Sequence, residues 1–482
     1  MSTHDHREPN PGPHFPALHP RPAKGWVNDP NGMVFHDGRY HVFFQYNPHD
    51  ARHRDMHWGH LVSTDLLHWQ ELPLALAPTP GGVDADGVWS GNALSHDGRL
   101  TVFYAARRDD RPFQPVAAAD STDGVRFAKR PGLLVPEAPP GLRMFRDPYV
   151  WRDRWDGRPR MLVGAATEDG RGAAVHYTCT APGDLSGWTY EGLFFTHEPV
   201  ELADGRTTEE GWECVQYAPL GADGGALLVS CWDPEQGARA TAAWPGRETE
   251  DGTFEATGPP QLLDYGPDFY APAVLHAPDG RLLLWAWVWE ARDEPRVGAP
   301  GQWIDEVGWA GMLSFPREVT LGDDGSVCQQ PARELDELRT GERRVQARGT
   351  GSAELGSVPH AFDMRAELSG GSGLRIVTDG TGAEYLSLTR DPATGDVMVD
   401  RDRASHDPRA KNGRWRLPAP VGEPARIRVL VDHSVCEVFT DEGRSLTVRF
   451  YPVGGSGWRL MATGADAHAV DAWELPMSGG AR

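Results

Sequence analysis

Four acidic side chains in this 482-residue chain keep step with a repeat. Asp29, Asp147, Glu213 and Asp268 precede the Asp-Gly pairs at Asp37, Asp156, Asp223 and Asp279 by 8, 9, 10 and 11 residues, and Trp89 precedes the pair at Asp97 by 8. Taken singly, each has a plain structural reading. Asn28-Asp29-Pro30-Asn31-Gly32 spells a turn, as does Asp147-Pro148, and Glu213 between Trp212 and Cys214 suits a strand edge. Unrelated turns, however, have no reason to hold a common register. Carboxylates converging on one hollow can hydrolyse a glycosidic bond. One acts as nucleophile or base, and another, kept protonated by burial and by its neighbours, donates to the leaving oxygen. Trp212 and Trp309 are candidates for an apolar wall beside them.

The elements that would position these residues are strands. Asp-Gly pairs recur at Asp37, Asp97, Asp156, Asp223 and Asp279, at intervals of 60, 59, 67 and 56 residues, each followed by an apolar run such as Tyr40–Tyr46 or Leu100–Tyr104. Asp-Gly favours type I′ hairpin turns, in which both central residues have positive φ. Five β-units of similar length predict a five-bladed β-propeller over residues 25–325. If each turn joins the first two strands of a blade, the acids lie near the start of the innermost strands, and three or four of them meet at one end of the axis. Beyond residue 345 the period disappears. Alternating strands such as Ala361–Leu368, Arg426–Val431 and Ser445–Phe450 predict a C-terminal β-sandwich over 345–482. Residues 1–24 read as a disordered tail and 326–344 as a linker, with helical periodicity over Pro331–Arg344. The fold class is all-β.

Composition narrows the partners. Lys and Arg number 47 against 69 Asp and Glu, a net charge of −22, which repels phosphate backbones and anionic lipid. A neutral small-molecule substrate is expected, with no nucleic acid and no membrane partner. The longest apolar run, Leu282–Trp289, is too short to span a bilayer. No apolar targeting segment is visible at the N-terminus, so a cytoplasmic location is expected. The five cysteines, Cys179, Cys214, Cys231, Cys328 and Cys436, form no CxxC pair and read as free thiols. His57 and His60 are badly spaced for ligation in a strand, and no metal or cofactor is expected. Packing on the propeller, and homo-oligomer contacts, are the roles open to the sandwich.

The motifs resemble glycoside hydrolase family 32, the invertase, sucrose-6-phosphate hydrolase and levanase family. Trp26-Val27-Asn28-Asp29-Pro30-Asn31-Gly32 is similar to its nucleophile motif, with Val27 where Met is usual. Phe43–Pro48, Met56–His60, Trp89-Ser90-Gly91, Phe145–Pro148, Trp212-Glu213-Cys214, Asp268–Pro272, Gly308–Gly311, Phe315–Glu318 and Asp432–Phe439 follow in the family's order. The resemblance implies a retaining β-fructofuranosidase: Asp29 as nucleophile, Glu213 as general acid/base, Asp147 as transition-state stabiliser. It further implies sugar contacts from Asn28, Gln45, Ser90, Arg146 and Tyr270, and a pocket shaped by Trp58, Trp89 and Trp309. Val215-Gln216 stand where Pro-Asp is usual and Ala273 where Gln is usual, which puts the leaving-group preference in doubt. The same residues leave three other readings open: a fructosyltransferase, a non-catalytic carbohydrate-binding propeller, and an inverting glycosidase for arabinose or xylose polymers.

Overall fold

The computed structural model describes residues 11–221, 224–292, 302–347, 352–422, 424–455, 457–464 and 468–476. Five antiparallel blades account for the first part. Their innermost strands are Gly25–His36, Gly87–His96, Leu142–Arg152, Gly211–Leu220 and Phe269–His276. The pairs at Asp37, Asp97, Asp156 and Asp279 fall between the first two strands of their blades, as the repeat predicts. Both residues take positive φ at Asp37-Gly38 and Asp97-Gly98. At Asp156-Gly157 and Asp279-Gly280 only the glycine does, because those connections are longer. Asp223 lies outside the described residues.

The innermost strand of each blade packs against that of the next, and the fifth packs against the first, so the ring closes. Trp309–Ala310, after the fifth blade's second strand, runs parallel to Gly25-Trp26 of the first and fastens the seam. The inner and second strands are buried on both faces, which explains their near-continuous apolar runs. Leu282–Val288, for example, is buried throughout.

Two six-stranded antiparallel sheets form the second part. One runs in the order Thr340–Ala347, His468–Glu474, Ala361–Leu368, Ala425–Asp432, Val435–Thr440, Ser445–Arg449. The other runs Ala353–Ser357, Arg459–Thr463, Gly373–Val377, Tyr385–Arg390, Val397–Asp400, Arg414–Leu417. Alternating side chains such as Leu386 and Leu388 fill the space between them together with Met364, Val429 and Val438.

Two expected boundaries need correction. Val327–Pro331 is the outermost strand of the fifth blade, and the 3₁₀ turn Arg333–Leu338 buries Leu335 and Leu338 between the domains, so 326–344 is not a free linker. Residues 11–24 are not a disordered tail either, because Leu18, His19 and Arg21 are buried. His19 bridges Asp432 at 2.9 Å and Glu437 at 3.0 Å, and the backbone N–H groups of Ala17, Leu18 and His19 all donate to the Asp432 carboxylate. Residues 1–10 lie outside the described part. All five cysteines are free thiols. No described helix is long and apolar enough to cross a membrane.

Candidate active site

The five innermost strands break their pairing register at a common level. The interruptions fall at Asn28-Asp29, Trp89-Ser90, Asp147, Cys214-Val215 and Ala271-Pro272. A bulge re-aims side chains that a regular strand would direct into its neighbours. Asp147, Cys214 and Ala271 take φ of 62°, 46° and 49° there, a conformation that non-glycine residues adopt only when the surroundings enforce it. The ring of bulges thus turns residues from all five blades onto one hollow at the end of the axis.

Three of the four registered acids meet in it. Cys214 joins two of them: its Sγ lies 3.8 Å from Asp29 Oδ2 and 3.7 Å from Asp147 Oδ2, and its backbone N–H donates to Asp147 Oδ2 at 3.2 Å. Ser90 donates to Asp29 Oδ2 at 2.7 Å. Glu213 receives Arg146 Nη1 at 3.0 Å and the Tyr270 hydroxyl at 2.8 Å. The fourth acid departs from expectation. Asp268 receives Arg401 at 2.5 Å and the backbone N–H of Arg449 at 2.8 Å, so it joins the propeller to the sandwich instead of entering the hollow.

Burial raises the pKa of all three acids. For Asp29, hydrogen bonds from Ser90 and Asn28 oppose it. For Asp147, the charge of Glu213 adds to burial, Arg146 opposes and Asp29 adds further, and the group is pushed up to about 7. For Glu213, Arg146 opposes burial and Asp29 reinforces it. Three carboxylates around one hollow cannot all ionise cheaply, so the site retains a transferable proton near neutral pH. Cys214 is held well above the ordinary thiol range by burial and by the same acids, so it stays a neutral donor.

The remaining expected residues separate into four groups. Asn28 and Ser90 stand beside Asp29, and Asn28 accepts the Trp26 indole N–H at 2.8 Å. Trp89 and Arg146 border the hollow and remain partly exposed, whereas Tyr270 is buried and is spent on Glu213. Gln45, also buried, donates to the Val88 carbonyl at 3.0 Å and joins the first two blades. Two expectations are overturned. Trp58 is fully buried in the core of the first two blades, its indole N–H spent on the Trp89 carbonyl, so it supports the pocket without walling it. Trp309 is fully buried on the sandwich side, with Arg21 over its ring at 4.6 Å, Phe15 edge-on and its N–H donated to Pro11. Sequence reasoning missed Trp232, whose ring carries the Arg146 guanidinium at 5.0 Å. It also missed the part played by Cys214, for which adjacency to Glu213 was the available signal.

A closed five-bladed ring presenting buried carboxylates from three blades in one hollow is the arrangement that O-glycosyl hydrolysis by paired acids requires. The chain matches the glycosyl hydrolases family 32 N-terminal domain over residues 19–331 and the family's C-terminal domain over 334–474, and it belongs to that family. It is 33% identical to a raffinose invertase of Escherichia coli, over 95% of this chain and 94% of that protein. It is 34% identical to a sucrose-6-phosphate hydrolase of Klebsiella pneumoniae, over 96% and 93%. Among solved structures, a Bombyx mori β-fructofuranosidase variant in complex with sucrose superposes with a TM-score of 0.79 at 25% identity, covering 97% of this chain and 95% of that one. A fructan 1-exohydrolase from Cichorium intybus in complex with 1-kestose gives a TM-score of 0.82 at 23% identity, covering 97% and 99%, a likeness of fold.

Proposed function

We propose that this glycoside hydrolase releases terminal β-fructofuranosyl units from sucrose or short fructans by double displacement, with Asp29, Glu213 and Asp147 as its catalytic residues. One observation carries the reading: Cys214 of the fourth blade touches Asp29 of the first and Asp147 of the third, and its neighbour Glu213 is tied to the third blade by Arg146. Asp29 attacks the anomeric carbon C2 of the fructosyl unit while Glu213 gives its proton to the leaving oxygen. The C2–O bond breaks and a fructosyl ester of Asp29 remains. Glu213, now a carboxylate, takes a proton from water. The hydroxide oxygen bonds to C2, Asp29 departs, and fructose leaves with its configuration retained.

The Ser90 hydroxyl holds one Asp29 oxygen and thereby fixes the direction of attack. Asp147 gains the hydroxyls of the bound fructosyl ring as partners and stabilises the oxocarbenium-like transition state. The relatives named above supply the substrate class, and the hollow supplies the acids that class requires.

Incubation with sucrose and 1-kestose tests this. Fructose release by the wild type is expected, together with its loss in both Asp29→Ala and Glu213→Ala. Full activity in either variant refutes the assigned roles.

A further inference from the structure

We propose that Trp232 is the platform of the leaving-group subsite, the surface on which the sugar departing from the fructosyl unit packs. This rests on the roles of Asp29 and Glu213 given above. Trp232 lies on the second strand of the fourth blade, Gly224–Asp233, opposite Gly211, while Glu213 lies opposite Ser230. Residues two apart on a strand share a face, so the indole stands on the face that carries the acid. A Cβ on Gly211 would meet Trp232 Cε3 at 2.9 Å. The absence of a side chain at Gly211 is therefore what lets the ring lie across the strand. Arg146 places its guanidinium 5.0 Å from the ring and bonds Glu213 Oε1 at 3.0 Å, so indole, cation and acid form one continuous edge.

The chemistry assigns that edge to the leaving group. In double displacement the nucleophile and the acid take opposite ends of the breaking bond, C2 belonging to Asp29 and the departing oxygen to Glu213. Asp29 hangs from the first blade, and Ser90 of the second holds it. Whatever is bonded to the departing oxygen must therefore extend past Glu213, over the fourth blade, where Trp232 stands. Trp212 and Trp244 of the same blade are buried outright, whereas Trp232 is partly exposed and presents apolar area to a ligand. Across Arg146, Trp89 has a matching geometry: a Cβ on Gly87 would meet its Nε1 at 2.8 Å, and the same guanidinium lies 6.0 Å from its ring. Arg146 thus stands between two indoles, and the one on the acid's blade faces the second sugar.

The test compares substrates with and without a second ring: sucrose and 1-kestose against methyl β-D-fructofuranoside. In Trp232→Ala the ratio of kcat/KM for sucrose and 1-kestose over the methyl fructoside is expected to fall about three- to tenfold, the size of one aromatic contact, and mainly through KM. Trp232→Phe should restore most of the ratio. If the alanine variant does not fold, the pair Trp232→Phe and Trp232→Leu carries the comparison, with the ratio kept in the first and fallen in the second. Equal losses on all substrates would mean that the indole acts only by holding Arg146, and would overturn the proposal. Absence of fructose release from every substrate by the wild type would instead sink the proposed function itself.

Discussion

The Tyr270 hydroxyl lies 2.8 Å from Glu213 Oε2, a hydrogen bond that crosses from the fifth blade to the acid presented by the fourth. It favours the carboxylate and so lowers the Glu213 pKa, against burial and the Asp29 charge that raise it. The Tyr270 ring stacks on Trp289 at 5.4 Å, a contact that phenylalanine would keep. In Tyr270→Phe the Glu213 pKa therefore rises and the acid stays protonated to higher pH. The basic limb of the kcat–pH profile is expected to move upward. A limb that stays in place or moves down would show that the hydroxyl does not tune the donor.

Glu213→Gln isolates proton donation. The amide keeps the shape of the side chain and its contact with Tyr270 but has no proton to give. The kcat on sucrose should drop by roughly 10²- to 10⁴-fold, the range for loss of a positioned acid. An aryl β-fructofuranoside, whose leaving group departs without protonation, should lose much less. Comparable losses on both substrates would remove Glu213 from the donor role.

His19 and Asp432 make stability depend on pH at both ends. Burial alone would raise the Asp432 carboxyl, but hydrogen bonds from His19 and His433 and their charges outweigh it and hold it far below the usual range. Its contribution is complete above the unfolded value of about 3.9 and is lost as pH falls through the folded one. Burial alone would lower the His19 pKa, but Asp432 and Glu437 outweigh it and raise the ring. That contribution is complete below about 6.5 and is lost as pH rises through the folded value. The thermal midpoint should fall steeply below about pH 4, and Asp432→Asn should flatten that fall. Deleting residues 1–22 should lower the midpoint at every pH, and an unchanged midpoint would contradict the buried N-terminal strap.

Arg317 joins the domains through groups that are as buried as itself. It reaches Asp264 at 2.9 Å and Glu437 at 2.6 Å, with all three side chains fully buried. Arg317→Ala leaves Asp264 buried without its cation and Glu437 with His19 alone, and should cost about 3–5 kcal/mol. The cost to Arg317→Met should be smaller, because the methionine fills part of the space. The midpoints of urea unfolding check both, and a larger loss for methionine would count against the electrostatic account.

Much of the site was legible because its signals are local. Asp-Gly turns depend on the φ preferences of two residues, so the repeat, the blade order and the register of Asp29, Asp147 and Glu213 can be read along the chain. The fate of Asp268 could not be read that way. It keeps the same register, yet its partners Arg401 and Arg449 lie more than a hundred residues away. Trp58 and Trp309 carry no local mark that separates a wall from a core, and the Phe315–Glu318 and Asp432–Phe439 motifs proved to meet each other across the domain interface through Arg317 and Glu437.

The sequence by itself determined the acids, their blades and the turns that space them, since each follows from short-range backbone chemistry. Only the tertiary structure decided where those side chains point. The bulges exist as mismatches between paired strands, and the placing of Trp232 over Gly211, of His19 on Asp432 and of Cys214 between two carboxylates depends on which distant segments pack together. Spacing along a chain constrains register, while direction and burial are properties of the closed ring.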